Sequence, residues 1–202
     1  MARADDVYTL PPDLPVPEDD GRAAHLPGTH VPSLALVATT GERVDLAAVH
    51  GLAVVFAYPR TGRPNDPPLV PDWDLIPGAR GCTPHTCSFR DLSADFAALD
   101  TRIFGLSTQD PEYQRELAER LHLPFPVLSD SELAVTNALR LPTLTVAGHV
   151  LIARLAWIQR DGVIEEVAYP VFPPDRNGPD MLQRVRAIRS AEGVARDRGR
   201  PI

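Results

Sequence analysis

Cys82 and Cys87 are the only two thiols in this 202-residue chain, and their setting decides what chemistry is open to them. They lie in Gly81-Cys82-Thr83-Pro84-His85-Thr86-Cys87, where an irregular stretch gives way to a helix predicted over 83–99 from the stripe Phe89, Leu92, Phe96 and Leu99. Unpaired amides and the positive end of the dipole at a helix start favour a thiolate over a thiol, which makes Cys82 a candidate nucleophile. Arg80 and Arg90 lie close in sequence and can add positive potential. A thiolate that attacks a peroxide O–O bond becomes a sulfenic acid, which a second thiol condenses into a disulfide. Cys87 is the one other thiol available.

In a regular helix, residues five apart have Cα atoms roughly 8 to 9 Å apart, whereas disulfides rarely tolerate more than about 7 Å. The first turns of the helix are therefore expected to unwind if the two cysteines pair, giving an exposed, strained and easily reduced bond. Two other readings stand beside this one. A cysteine on an amphipathic helix often serves as a small buried hydrophobe, and a metal site is opposed by the lack of four-ligand spacing, His85 being the one nearby imidazole. His85 itself is ambiguous: it sits two residues from Thr83 in the reactive turn, yet most such histidines are exposed and incidental.

The elements that must hold these residues follow from patterning. Residues 33–38 and 43–46 flank a Thr40-Gly41 turn and predict a hairpin. The continuous apolar run 52–58, closed by Pro59, has the look of a strand buried on both faces of a sheet. Residues 60–80 hold five prolines, Trp73 and several acids without period, and predict a long irregular loop. A strand is expected over 102–106. Asp110-Pro111-Glu112 then opens a helix to about Leu121. A short strand over 125–128 leads to a Ser129–Glu132 capping box and a helix ending near Leu139. An antiparallel hairpin is expected from 151–159 and 163–168, and a closing helix over 179–189. Alternating strands and helices followed by a hairpin and helix predict an α/β mixed central sheet flanked by helices, with an N-terminal hairpin extension.

Length suits one domain, expected over 25–190 with the 60–80 insertion. Residues 1–24 read as an extended or mobile segment and 191–202 as a mobile charged tail. The net charge of -7 argues against nucleic acid and anionic membranes as partners. The longest apolar run is far short of the roughly 20 residues of a membrane span. Residues 1–20 lack the apolar core of a secretory signal, so the expected location is cytoplasmic.

From about His25 to Ile188 the chain resembles the peroxiredoxins, most closely their Q-type or bacterioferritin-comigratory branch. The segments that carry the likeness are Leu26-Pro27-Gly28-Thr29-His30-Val31-Pro32-Ser33-Leu34, Val54-Val55-Phe56-Ala57-Tyr58-Pro59, Gly81-Cys82-Thr83 and Cys87-Ser88-Phe89-Arg90-Asp91. Phe104-Gly105-Leu106-Ser107-Thr108 and Leu123-Pro124-Phe125-Pro126-Val127-Leu128-Ser129-Asp130 follow in the family's order. The resemblance implies a thioredoxin-like fold and reduction of hydrogen peroxide or organic hydroperoxides. It implies recycling by thioredoxin or a similar dithiol donor, without metal, haem or flavin, as a monomer or homodimer. A redox-responsive regulatory protein with slow turnover is the alternative.

By the same resemblance Cys82 matches the peroxidatic cysteine, Cys87 the resolving cysteine on the same helix, and Arg154 the arginine that faces the thiolate. Two departures stand out. Ala79 occupies the position, three before the cysteine, where the family carries a Thr or Ser hydroxyl, and the insertion separates Pro59 from Cys82. Thr61 folding back, or Thr83, is expected to supply the missing hydroxyl. The insertion reads either as a solvated excursion or as a lid or subunit contact built on Trp73, Leu75 and Ile76.

Overall fold

A computed structural model of the chain describes residues 6–198. Strands β1 (Ala35–Ala38) and β2 (Arg43–Asp45) form the expected N-terminal hairpin. Strand β3 (Leu52–Ala57) is buried at every position. Helices α1 (Cys82–Arg90) and α2 (Ser93–Ala98) lead to β4 (Thr101–Ser107), α3 (Pro111–Leu121), β5 (Val127–Ser129) and α4 (Ala134–Ala138). A hairpin of β6 (Thr143–Val146) and β7 (His149–Ile152) precedes the larger pair β8 (Leu155–Arg160) and β9 (Val163–Ala168), and α5 (Asn177–Arg198) closes the chain.

Seven strands make one mixed sheet in the order β2-β1-β5-β4-β3-β8-β9. β3 is central, parallel to β4 and antiparallel to β8, which requires apolar side chains on both of its faces. Ala53, Val55 and Ala57 point into a core shared with Leu26, Leu106, Leu139 and Trp157. Leu52, Val54, Phe56 and Tyr58 point the other way, into a core with Cys82, Phe89, Phe96, Leu117 and Met181. This is a thioredoxin-like α/β arrangement, and its second core carries the reactive helix. No described helix is long and apolar enough to cross a membrane.

Several local expectations are corrected. The single helix over 83–99 is two, because Leu92 leaves the helical region (φ -109, ψ 8) and closes an i→i−3 bond to Phe89 before α2 starts. The capping box before α4 does not form. Leu133 takes the cap position, and the Asp130 carboxylate accepts instead from the Val135 amide and from the amide and hydroxyl of Thr136. The hairpin expected from residue 151 begins at Leu155. The chain breaks at Ala153-Arg154, and residues 149–152 pair with β6.

The closing helix extends beyond 189 to Arg198, continued by Ala, Glu and Arg, which are good helix formers. Glu192 ties it to Arg160 of β8 at 2.5 Å and pairs within the helix with Arg189 at 3.1 Å. Residues 6–24 hold turns without helix or strand, yet Val7 and Ala23 are buried. The outermost parts of both expected tails, 1–5 and 199–202, lie outside the described residues.

The proline-rich insertion runs along the protein instead of extending into solvent. Trp73 is buried, and it packs with Ala79, Val146 and Leu151 in a third small core, with Ile76 against its edge. Its apolar area is thus largely covered within the chain by β6 and β7, while Leu75 remains exposed.

Candidate active site

Gly81 is the N-cap of α1 with φ +97, a left-handed conformation that glycine adopts without penalty. A Cβ there would stand 2.5 Å from Pro174 Cγ and 2.6 Å from Leu10 Cδ2. The turn is therefore gripped by the N-terminal segment on one side and by the loop before α5 on the other. Cys82 follows as the first helical residue, 3 % exposed. The amides of Cys82 and Thr83 have no carbonyl one turn earlier to bond, so the helix start presents free donors beside the sulfur.

Arg154, at the break before β8, is buried and spans the site. Its Nη2 lies 3.2 Å from Cys82 Sγ and also donates to the carbonyls of Gly78, Ala79 and Arg80 at 3.1, 3.3 and 2.9 Å. In the thiol form Sγ–H donates to the Ala79 carbonyl at 3.4 Å. On ionisation that carbonyl keeps its bond from Arg154, so loss of the proton leaves no acceptor stranded. A fixed guanidinium thus stands in contact with a buried sulfur.

Arg154 Nη1 meets His85 Nδ1 at 3.0 Å, and His85 Nε2 meets Asn177 Oδ1 at 2.8 Å. His85 is fully buried, edge-on against the stacked rings of Phe56 and Phe89, which decides against an exposed, incidental histidine. Burial first, and Arg154 second, hold it well below the ordinary imidazole range, so it is neutral. Both ring nitrogens are committed to protein partners, which leaves none for a metal. Tyr58 is buried on the same side with its hydroxyl unpartnered, and burial together with nearby Cys82 pushes its ionisation up.

Above the sulfur opens a cavity of about 380 Å³, lined among others by Arg60, Thr61, Trp73, Arg80, Thr83 and Tyr113. Both threonines considered for the missing hydroxyl face it. Thr61 is held by a two-way bracket, its amide and hydroxyl donating to Gln109 Oε1 at 2.9 and 3.0 Å while Gln109 Nε2 returns a bond to the Thr61 carbonyl. Its oxygen retains lone pairs to accept a further bond. Thr83 is buried next to Cys82. Ala79 takes part through its backbone alone, its side chain belonging to the Trp73 core.

The two flanking arginines divide. Arg80 lines the cavity and pairs with Asp74 at 3.6 Å. Arg90 sits at the other end of α1, paired with Asp91, and its charge acts on Cys87 instead. Cys87 is a free, half-buried thiol whose ionisation burial pushes up, with Arg90 pulling against it. Both cysteines lie within one continuous helix, so the separation derived above from helical geometry holds.

The sequence reading missed His85, Asn177 and Tyr58. His85 lies four residues before Phe89 on the apolar stripe used to place the helix, and that periodicity was the available signal. Nothing local marks Asn177.

The redoxin family profile matches residues 26–183. Peroxiredoxin Bcp of Bacillus subtilis is 33% identical over 112 residues, covering 55% of this chain and 61% of that protein. The chloroplastic peroxiredoxin Q of Populus jackii is 24% identical over 162 residues, covering 80% and 68%. Among solved structures, peroxidoxin BcpB from Mycobacterium tuberculosis superposes with a TM-score of 0.64 at 26% identity, covering 80% of this chain and 97% of that one.

Proposed function

The chain belongs to the redoxin family as a peroxiredoxin, a thiol-dependent peroxidase, and from that premise we propose that Cys82 is its peroxidatic nucleophile, Cys87 its resolving thiol, and Arg154 with Thr83 their catalytic partners. The observation that carries this is the buried guanidinium of Arg154, 3.2 Å from the sulfur of Cys82, a residue that lines an open cavity.

In the first step the thiolate donates an electron pair to the terminal oxygen of ROOH. The S–O bond forms as the O–O bond breaks, and RO⁻ leaves to take a proton from solvent, giving Cys82–SOH and ROH. Arg154, already aimed at the sulfur, stabilises the charge shared between sulfur and the two oxygens. Thr83 and Thr61, which both line the cavity, offer hydroxyl oxygens to orient the substrate O–H. In the second step Cys87 attacks Cys82 Sγ, the S–S bond forms, the S–O bond breaks and water departs. An external dithiol of the thioredoxin type then reduces the disulfide to two thiols. A cavity larger than hydrogen peroxide needs supports organic hydroperoxides as substrates beside it.

The test is peroxide consumption coupled to a thioredoxin system. Cys82→Ser abolishes turnover. Cys87→Ser still consumes about one equivalent of peroxide per chain, stopping at the sulfenic acid, but loses thioredoxin-linked cycling. Unchanged cycling in Cys87→Ser would overturn the resolving assignment.

A further inference from the structure

We propose that the cavity above Cys82 selects hydroperoxides that carry a carboxylate, with Arg60 as the residue that recognises the anion and the apolar wall of the insertion as the seat of the carbon body. The inference deepens the peroxidase reading and rests on Cys82 being the nucleophile.

The lining of the cavity divides by chemistry. Val7, Pro67, Pro68, Leu69 and Trp73 form an apolar wall, and all but Val7 belong to the insertion. Hydrogen peroxide has no carbon to set against such a wall, so the wall contributes only when the substrate brings apolar surface of its own. The charged residues of the lining are Arg60, Arg80 and Asp66, two cations against one acid, on a chain whose net charge is -7. Asp66 is exposed, where solvent screens its opposition to an incoming anion.

The two cations differ in what already holds them. Arg80 donates from Nη2 to the Asp6 carbonyl at 2.7 Å and pairs with Asp74 at 3.6 Å. Arg60 lies with its guanidinium over the Tyr113 ring, 4.8 Å from the centroid, and among the described residues it pairs with no carboxylate. Arg63 lies over the same ring at 4.3 Å but is claimed by Glu116 at 3.7 Å. Stacking engages the face of a guanidinium and leaves its N–H edges to donate. A planar fork with free edges fits a carboxylate, which accepts two parallel bonds, and its single charge matches a monoanion.

Arg60 is also rooted firmly. It follows Pro59, whose carbonyl accepts from Ser107 Oγ at 3.2 Å, and precedes Thr61, pinned to Gln109 through its amide and hydroxyl. Tyr113 sits in the first turn of α3, its amide held by the Asp110 cap at 2.7 Å. Root and ring both belong to fixed backbone, so the guanidinium keeps its place beside the cavity without a salt bridge to anchor it.

The experiment mixes reduced full-length protein rapidly with cumene hydroperoxide or with its ring para-carboxylate, a pair alike at the O–O bond and different in charge, and reads oxidation by tryptophan emission. The carboxylate is expected to react about tenfold faster at low ionic strength, the ratio falling toward one at about 1 M salt. Arg60→Gln is expected to bring the low-salt ratio to about one, and Arg60→Lys, which keeps the charge but not the fork, to hold it at about threefold. Because the readout is a ratio, any general change in the reactivity of Cys82 cancels. Equal rates for the pair in wild-type protein, or a preference that persists in Arg60→Gln, would overturn the proposal, as would oxidation by hydrogen peroxide but by neither aryl hydroperoxide. A Cys82 that hydrogen peroxide leaves as a thiol would instead overturn the nucleophile assignment, so the two failures are distinguishable.

Discussion

Replacing Arg154 by Met keeps most of the stem's volume and removes the guanidinium. A unit positive charge about 4 Å from a thiolate, at the effective dielectric of about 20 that suits protein sites, is worth about 4 kcal/mol. The free amides of the first turn of α1 also face the sulfur, so a loss of about 2–4 kcal/mol is expected, or roughly 30- to 1,000-fold in the second-order rate with peroxide. Arg154→Lys should fall between Met and wild type. An ammonium restores the charge, but it cannot donate to His85, to three carbonyls and to the sulfur from one planar fork.

Reduced protein mixed rapidly with peroxide gives the rate directly, because Trp73 lines the same cavity as Cys82 and its emission reports oxidation there. Thermal melting beside the kinetics separates loss of charge from collapse of the 78–80 backbone that Arg154 also supports. Oxidation of Arg154→Met within threefold of wild type, with the fold intact, would refute the electrostatic reasoning.

Acid stability should carry the signature of the buried histidine. The unfolded chain protonates His85 near pH 6.5, whereas the folded chain holds it neutral to well below that. Stability is thus fully present above pH 6.5 and lost as pH falls toward the depressed folded value, at up to about 1.4 kcal/mol per unit. Urea midpoints from pH 7.5 to pH 5 should fall more steeply for wild type than for His85→Gln, and parallel slopes would contradict this. Gly81→Ala combines a left-handed backbone, costing about 1–2 kcal/mol, with a Cβ driven into the Pro174 ring, costing about 1–3 kcal/mol. A loss of about 3 kcal/mol in denaturant unfolding is expected, with at least tenfold slower oxidation of Cys82. Wild-type stability in that variant would mean that Leu10 and Pro174 give way freely.

What the sequence made legible was local and periodic. The apolar run of β3 announced a central strand, and Asp110-Pro111 announced α3, where the Asp110 carboxylate accepts from the Tyr113 amide at 2.7 Å. The helix start at Cys82 was readable for the same reason. Arg154 was reached through family likeness, since a contact between residues 72 apart leaves no trace in either neighbourhood. The β6–β7 hairpin was hidden because its two-residue turn is Ala147-Gly148, both with positive φ, in place of the Asn-Gly or Asp-Gly that usually marks such turns. Missing that hairpin also hid the seat of Trp73, which left a solvated excursion and a lid or subunit contact as even readings of the insertion. His85 stayed ambiguous because a polar residue on an apolar stripe declares its partners only in three dimensions.

The grip of Leu10 and Pro174 on Gly81 has a consequence for the lifetime of the oxidised enzyme. If Cys82 and Cys87 pair as proposed, the first turns of α1 must open, and the sulfenic acid waits until those contacts release. A second hydroperoxide arriving during that delay would carry the sulfur on to a sulfinic acid, beyond the reach of a dithiol. Two hydrophobic side chains, each more than seventy residues from Cys82 in sequence, would then set how large a burst of oxidant the protein survives.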